Sequence, residues 1–287
     1  MKILAIGAHQ DDNEFRVGGM TVKWVKAGYE VRYLSLTNGS GGHHLLTKEE
    51  TIAARAKESA AVGAYLGIRY DVWADQDDCI LVADLPTRKR LIRYIREFNP
   101  DVIISHRTND YHADHRAAAL LVQDASYLLT VPHECPEVPA MRRMPVILFY
   151  EDRFAEPPFR VKYVAGIDDE FEAKMHAAHL NTSQVYEWLP YTYEQKLPVT
   201  EEEKRAVLWG MEIDENTTDE EVLAHKHGYA VRFAKTAARF RRELIAHYGE
   251  EEGSRIRYAE AFGLSEYGDA PTEALERALF FQVRSPV

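Results

Sequence analysis

Two short stretches hold most of the side chains in this sequence that could do chemistry. The first is Ala8-His9-Gln10-Asp11-Asp12; the second, HRTNDYHADHR, runs from His106 to Arg116. Of the 12 histidines, three lie in the second stretch and one in the first, so imidazole is concentrated beside carboxylate. Such clusters after apolar segments have few structural uses, because unpaired buried charge is costly. A divalent cation compensates it, and three protein ligands with one open vertex is the pattern of a catalytic zinc site. We take His9, Asp12 and His115 as the ligands. His9 and Asp12 stand three apart at a strand-to-helix turn, so one turn aims both at one point. His112 and His115 have the same spacing at the start of a later helix, and a metal with an open position does not need both. Asp11 lies between the first two ligands, points elsewhere by chain geometry, and is free to take a proton from water on the metal. Taken singly, a histidine after a strand is more often structural, and an Asp-Asp pair before a helix is more often an N-cap. Their joint occurrence at two strand ends reverses those odds.

Those strand ends follow from an alternating pattern of elements. Residues 3–7 form a short apolar strand, 14–27 a helix with an apolar stripe, and 30–36 an alternating strand. A glycine-rich loop over 37–44 follows. Thr47 and Glu50 fit a capping box opening a helix through about Leu66, with Gly67 as its C-cap. Further strands are expected at 70–74, 102–105 and 145–150, and helices at 85–98, 113–129 and 168–185, the first of these stopped by Asn99-Pro100. Repeated strand–helix–strand order gives a parallel sheet with helices on both faces. Ligands of such folds bind beyond the carboxyl ends of the strands, where both stretches fall. After residue 190 the chain turns polar, then mainly helical and highly charged. The organisation expected is a core over 1–190 and a mainly helical C-terminal extension over 191–287 packing on it.

Composition excludes other classes. Lys and Arg total 35 against 46 Asp and Glu, a net charge of −11, which opposes binding to nucleic acid or anionic lipid. No apolar run approaches the ~20 residues of a membrane span. The apolar start is too short for a signal segment, and the two cysteines, Cys79 and Cys135, have no metal-knuckle spacing; both features point to a cytoplasmic protein with reduced thiols. A nucleotide-binding reading fails because no GxGxxG follows the first strand and Asp11-Asp12 would repel phosphate.

The AHQDD and DYHADHR segments resemble the first and second motifs of the LmbE/PIG-L family of zinc-dependent de-N-acetylases, usually AHPDDE and HPDHR. Thr37-Asn38-Gly39, the Arg55/Glu58 pair, Lys174 with Ser183-Gln184, and Tyr258–Phe262 are similar to further family segments. The resemblance implies a Rossmann-like three-layer α/β sandwich with a mostly parallel sheet. It also implies a mononuclear Zn2+ site, with Fe2+, Mn2+ or Co2+ as alternatives. The activity implied is hydrolysis of an N-acyl amide (a linear C–N bond) by metal-activated water, the substrate being a small N-acetylated amino sugar such as an N-acetylglucosamine conjugate. By motif, His9, Asp12 and His115 are the ligands, Asp11 the general base, His112 the oxyanion stabiliser, and Asp114 the residue that orients or charges His112. A homo-oligomer is compatible with the resemblance. Gln10 and Ala113 replace the family's usual prolines, Asn13 replaces a common acidic residue, and Asn181 stands where many members carry histidine.

For a sugar substrate the contact candidates are Asn38, His43 and Arg55, although Arg55 suits a local ion pair with Glu58 equally well. Two other readings use the same residues. Two histidines and a carboxylate also form the facial triad of non-haem Fe(II) enzymes, which usually sit on a jelly roll rather than on alternating helices and strands. A family member that binds sugar without turnover would keep the ligands but not need Asp11 and His112.

Overall fold

A computed structural model describes residues 1–281; positions 282–287, the end of the expected C-terminal extension, lie outside the described residues. The first half alternates as its sequence predicts: β1 (Lys2–Gly7), α1 (Asp12–Lys26), β2 (Glu30–Ser35), α2 (Lys48–Leu66), β3 (Arg69–Val72), α3 (Leu85–Phe98), β4 (Val102–Ser105), α4 (Ala113–Leu128) and β5 (Val146–Tyr150). β6 (Tyr163–Gly166) and α5 (Phe171–His179) follow. Then come α6 (Leu189–Thr192), α7 (Glu201–Trp209), α8 (Asp219–Ala224), α9 (Tyr229–Arg239), α10 (Arg241–Tyr248), α11 (Glu250–Arg255), β7 (Ala259–Leu264) and α12 (Glu273–Phe280).

Local chemistry sets the ends of these elements. Thr47 and Glu50 complete the capping box of α2, and Gly67 closes that helix at φ 68°, a left-handed conformation that suits glycine. Asp84 caps α3, and Asn99 ends it in the left-handed region. The strands line up β3-β2-β1-β4-β5-β7-β6, parallel from β3 to β5, with β7 antiparallel to both its neighbours. β1 is buried on both faces. Its Ile3 and Ala5 pack with Met20 and Trp24 of α1 and Met175 of α5, while Leu4 and Ile6 pack with Ile92 of α3 and Leu121 of α4. The sheet reverses its order between β1 and β4, where doubly wound folds open their ligand crevice. This is an open α/β sheet and not a jelly roll.

Two expectations need correcting. The helix expected over 168–185 is broken: a short 3₁₀ turn (Asp168–Glu170) leads into α5, and Ser183–Trp188 winds as a π-helix. The division at residue 190 does not follow the sheet, because β7 comes from the C-terminal stretch and lies between β5 and β6. The AEAFGL segment combines small residues with a glutamate and gives little strand signal. What holds it is a buried ion pair. Lys174 Nζ of α5 lies 2.5 Å from Glu260 Oε1 of β7, and both side chains are buried. Glu260 also accepts the backbone N–H groups of Gly19 and Met20 at 2.8 and 2.9 Å, so α1, α5 and β7 share one carboxylate. At the other end of the extension, Trp24 Nε1 donates to the Leu279 carbonyl at 2.8 Å. Among the described residues no helix is long and apolar enough to cross a membrane.

Breaking a buried pair by removing one partner costs about 3–5 kcal/mol. Lys174→Met is therefore expected to lower the urea midpoint by that equivalent, and Lys174→Met with Glu260→Gln to recover part of it. Equal midpoints for Lys174→Met and the native chain would refute the clamp.

Candidate metal centre and active site

The crevice between β1 and β4 gathers the two stretches. Gly7 ends β1 and allows the chain to fold over itself, since a Cβ there would come within 2.7 Å of Asp12 Cβ. Asp11 then takes φ 101°, a strained conformation for a residue with a side chain, and the strain coincides with the proposed base. Asp12 Oδ2 accepts the His9 backbone N–H at 2.8 Å. Beyond β4, His112 begins α4: its Nδ1 accepts the Asp114 backbone N–H at 3.1 Å.

The histidines are held from behind by carboxylates. His9 Nε2 lies 3.0 Å from Asp114 Oδ2, and His115 Nδ1 lies 2.9 Å from Asp110 Oδ1. When both rings are neutral, with their protons on these outer nitrogens, the inner lone pairs fall on His9 Nδ1 and His115 Nε2. Those atoms lie 3.7 and 3.4 Å from the two oxygens of Asp12. Carboxylate behind imidazole, with the other nitrogen turned inward, is the arrangement that fixes the tautomer of a metal-ligating histidine. Among the described residues, His9 with His112 and His115, and Asp12 with His106 and His115, each bring one ligand atom per residue within 4.8 Å of one another, so the three expected ligands are shared between two overlapping groups that meet at His115. His106 adds a further contact to Asp12 at 3.2 Å and stacks on His115 with ring centres 4.1 Å apart. Burial and the neighbouring His115 lower its pKa to about 4, so it is neutral at physiological pH.

The remaining groups differ from their expected partners. Asp114 faces His9 and the backbone N–H groups of Cys79 and Leu81, while its carboxylate is 3.9 Å from His112 Nδ1. Its carboxylate thus holds His9, and it orients His112 through its backbone N–H instead of charging it. Burial, then His9 and His115, lower the His112 pKa, which leaves a neutral ring whose Nε2–H is the free donor. Asp11 is buried, and burial pushes its carboxyl well above the ordinary range against the opposing charge of Arg55. Arg55 Nη2 is 3.3 Å from Asp11 Oδ2; the same guanidinium donates to the Gln10 carbonyl and reaches Glu58 at 3.3 Å. Tyr70 accepts the Asp11 N–H at 3.2 Å.

A cavity of about 420 Å³ opens over His9, Asp11, Asp12, His112 and His115 and reaches Arg55. Its far wall comes from Gln184 and Trp188 of the π-helix and from Tyr193. The other two substrate candidates lie outside it. Asn38 braces its own loop through Ala74 O, Asp77 and Ser40 N. His43 pairs with Glu187 at 2.6 Å and accepts two loop N–H groups. Asn181 is buried, does not line the cavity, and donates to Glu14 at 2.8 Å. Sequence reasoning assigned no role to Asp110, His106 or Tyr70. Asp110 and His106 sit within the second stretch and could have been found as carboxylate and imidazole flanking a proposed ligand; Tyr70, from β3, carries no such signal.

Residues 4–126 match one family model, PIG-L, described as GlcNAc-PI de-N-acetylase, which bears out the resemblance seen in the two motifs. A diacetylchitobiose deacetylase of Thermococcus kodakarensis is 26% identical over 205 residues, which is 66% of this chain and 74% of that protein. Among solved structures, the N,N'-diacetylchitobiose deacetylase from Pyrococcus horikoshii is similar with a TM-score of 0.65 and 21% identity, over 93% of this chain and 84% of that one. GalB, the 4-carboxy-2-hydroxymuconate hydratase from Pseudomonas putida KT2440, is similar with a TM-score of 0.69 and 20% identity, over 95% of this chain and 98% of that one. The two structural likenesses establish the fold.

Burial alone would lower the His9 pKa, but Asp114, then Asp12, Asp78 and Asp11, raise it to about 9 in the metal-free chain. The resulting stabilisation, of order 3 kcal/mol, is complete below the unfolded value of about 6.5 and is lost as pH rises through about 9. Chelator-treated protein is expected to show a Tm that falls over that interval, and His9→Gln to flatten the slope. A variant with the same slope as the native chain would refute this coupling.

Proposed function

We propose that this chain, which carries a PIG-L family domain, is a metal-dependent hydrolase that removes an acetyl group from the nitrogen of an amino sugar or sugar conjugate. The observation that carries the reading is the pair of carboxylate-backed histidines converging on Asp12, with the Asp11 carboxyl beside them in an open cavity. The deacetylase relative supports the reaction class. Zn2+ is the ion the donor set suits best, and Fe2+, Mn2+ and Co2+ are the alternatives.

His9, Asp12 and His115 would hold the ion. When bound, such an ion lowers the pKa of a water ligand from about 15.7 to about 7 and polarises a carbonyl oxygen. The rest is done by side chains. Asp11 takes the proton of the water that attacks the acyl carbon. Its raised pKa lets it keep that proton until the C–N bond breaks, when it passes the proton to the departing amine. Arg55 fixes the Asp11 carboxylate and limits how far its pKa rises. His112, neutral and held by the Asp114 N–H, offers its Nε2–H to the oxygen that becomes negative. A donor aimed at such an oxygen is worth about 2.7–4 kcal/mol.

The direct test is a screen of N-acetylated sugars with metal-reconstituted protein, read as released acetate; no release from any sugar with any of the four ions would sink the proposal. General acid–base groups contribute about 10²–10⁴-fold, so Asp11→Asn is expected to lose turnover in that range while binding metal normally. Near-native kcat in that variant would remove Asp11 from the mechanism. Loss of a partner behind a metal ligand typically costs about 10–100-fold in affinity. Asp110→Asn and Asp114→Asn should each weaken Zn2+ binding by that factor in a competition titration with a chromophoric chelator, and unchanged affinity in both would contradict the assigned ligands.

A further inference from the structure

We propose that the substrate carries an oxyanion, a carboxylate or phosphate, which Arg16, Arg153 and Arg232 bind in a side chamber adjoining the metal cavity. This rests on the hydrolase reading above and adds the charge class of the substrate. The chamber has a volume of about 280 Å³ and shares Phe15, Arg16, Tyr111 and Arg232 with the cavity over the histidines. A group seated there would therefore belong to the same molecule as one reacting beside Asp11.

The chamber is lined by three guanidiniums from distant segments (α1, the loop after β5, and α9) and by four carboxylates, Asp110, Glu151, Asp152 and Glu260. None of the guanidiniums has a carboxylate partner among the described residues. Arg16 donates only to the Glu151 backbone carbonyl, at 2.7 Å. Arg232 lies over the Tyr229 ring, 5.0 Å from its centre, without an ion pair. Arg153 makes neither a hydrogen bond nor an ion pair among the described residues. The carboxylates nearby are already engaged. Glu151 faces Arg239 and the Thr236 hydroxyl, both at 2.5 Å. Asp152 is bidentate to Arg107 at 2.5 and 2.7 Å. Asp110 holds His115 at 2.9 Å, and Glu260 holds Lys174 at 2.5 Å. Burial lowers the Arg153 pKa, and the charges of Arg239, Arg232 and Arg16 lower it further against the pull of Glu151.

A single exposed arginine is solvated and needs no partner. Three that face one chamber repel one another, and an oxyanion relieves that repulsion while accepting charge-assisted hydrogen bonds from the guanidinium forks. The chamber is too small for a macromolecule, and the global charge opposes polyanions, so the ligand is one small anionic group on a small molecule.

The experiment compares kcat/KM for N-acetylglucosamine, N-acetylmuramic acid and N-acetylglucosamine 6-phosphate, in the metal-loaded native chain and in Arg153→Gln and Arg232→Gln. One or both anionic sugars are expected to be preferred, and the two variants to cut the anionic-to-neutral ratio about tenfold or more. The preferred sugar tells carboxylate from phosphate. No preference in the native chain, or a ratio that both variants leave unchanged, would overturn the proposal. A parallel calorimetric titration with succinate and inorganic phosphate reads the chamber without turnover. Anion binding that the variants abolish, with none of the three sugars deacetylated, would sustain the arginine site and sink the deacetylase reading. Deacetylation of the neutral sugar with no anion binding would sink the arginine site alone.

Discussion

Two imidazoles can turn lone pairs toward one carboxylate only if something fixes the proton on the far nitrogen of each. Asp114 behind His9 and Asp110 behind His115 meet that requirement, and most of the architecture around the site serves it. β1 and β4 must lie side by side for His9 and the second stretch to meet, and they do because the sheet order turns at that point. Gly7 must lack a side chain for Asp12 to fold back beneath His9. Asp114 must sit in the first turn of α4 for one residue to do two things: its N–H fixes the His112 ring and its carboxylate fixes His9. Asp11, between His9 and Asp12 in this turn, takes a φ of 101°.

Much of this was legible in the residues. The parallel sheet, the ends of α2 and α3 and the two converging stretches follow from apolar periodicity, capping chemistry and the clustering of histidine with aspartate, all of them local signals. What was not legible depends on contacts between distant segments. β7 is a strand because Glu260 finds Lys174 and two N–H groups of α1, and nothing within AEAFGL announces those partners. Asp114 pairs with His9, 105 residues away, whereas the motif suggested its neighbour His112. Asn38 and His43 have the polarity of sugar contacts, but the loop uses that polarity to hold its own shape. Arg55 runs the other way: its helix-mate Glu58 offered a sufficient partner, and the fold adds Asp11.

The similarity to both a deacetylase and a hydratase shows why the fold alone leaves the reaction open. Both reactions send water or its equivalent into a polarised centre, and a histidine–carboxylate pocket at the same sheet crevice suits either. The groups around the open side of that pocket discriminate. For amide hydrolysis the nitrogen must receive a proton as it leaves, so the base has to become an acid within one turnover. Under the proposed reading Asp11 would meet this demand, since its environment is divided: burial favours the protonated form, and the Arg55 guanidinium at 3.3 Å favours the ionised one. An exposed aspartate would take the proton poorly, and an aspartate buried without Arg55 would already hold one. On that reading the buried carboxyl between these two influences would work in both directions, and this balance, more than the ligand set, is what would suit the site to breaking a C–N bond.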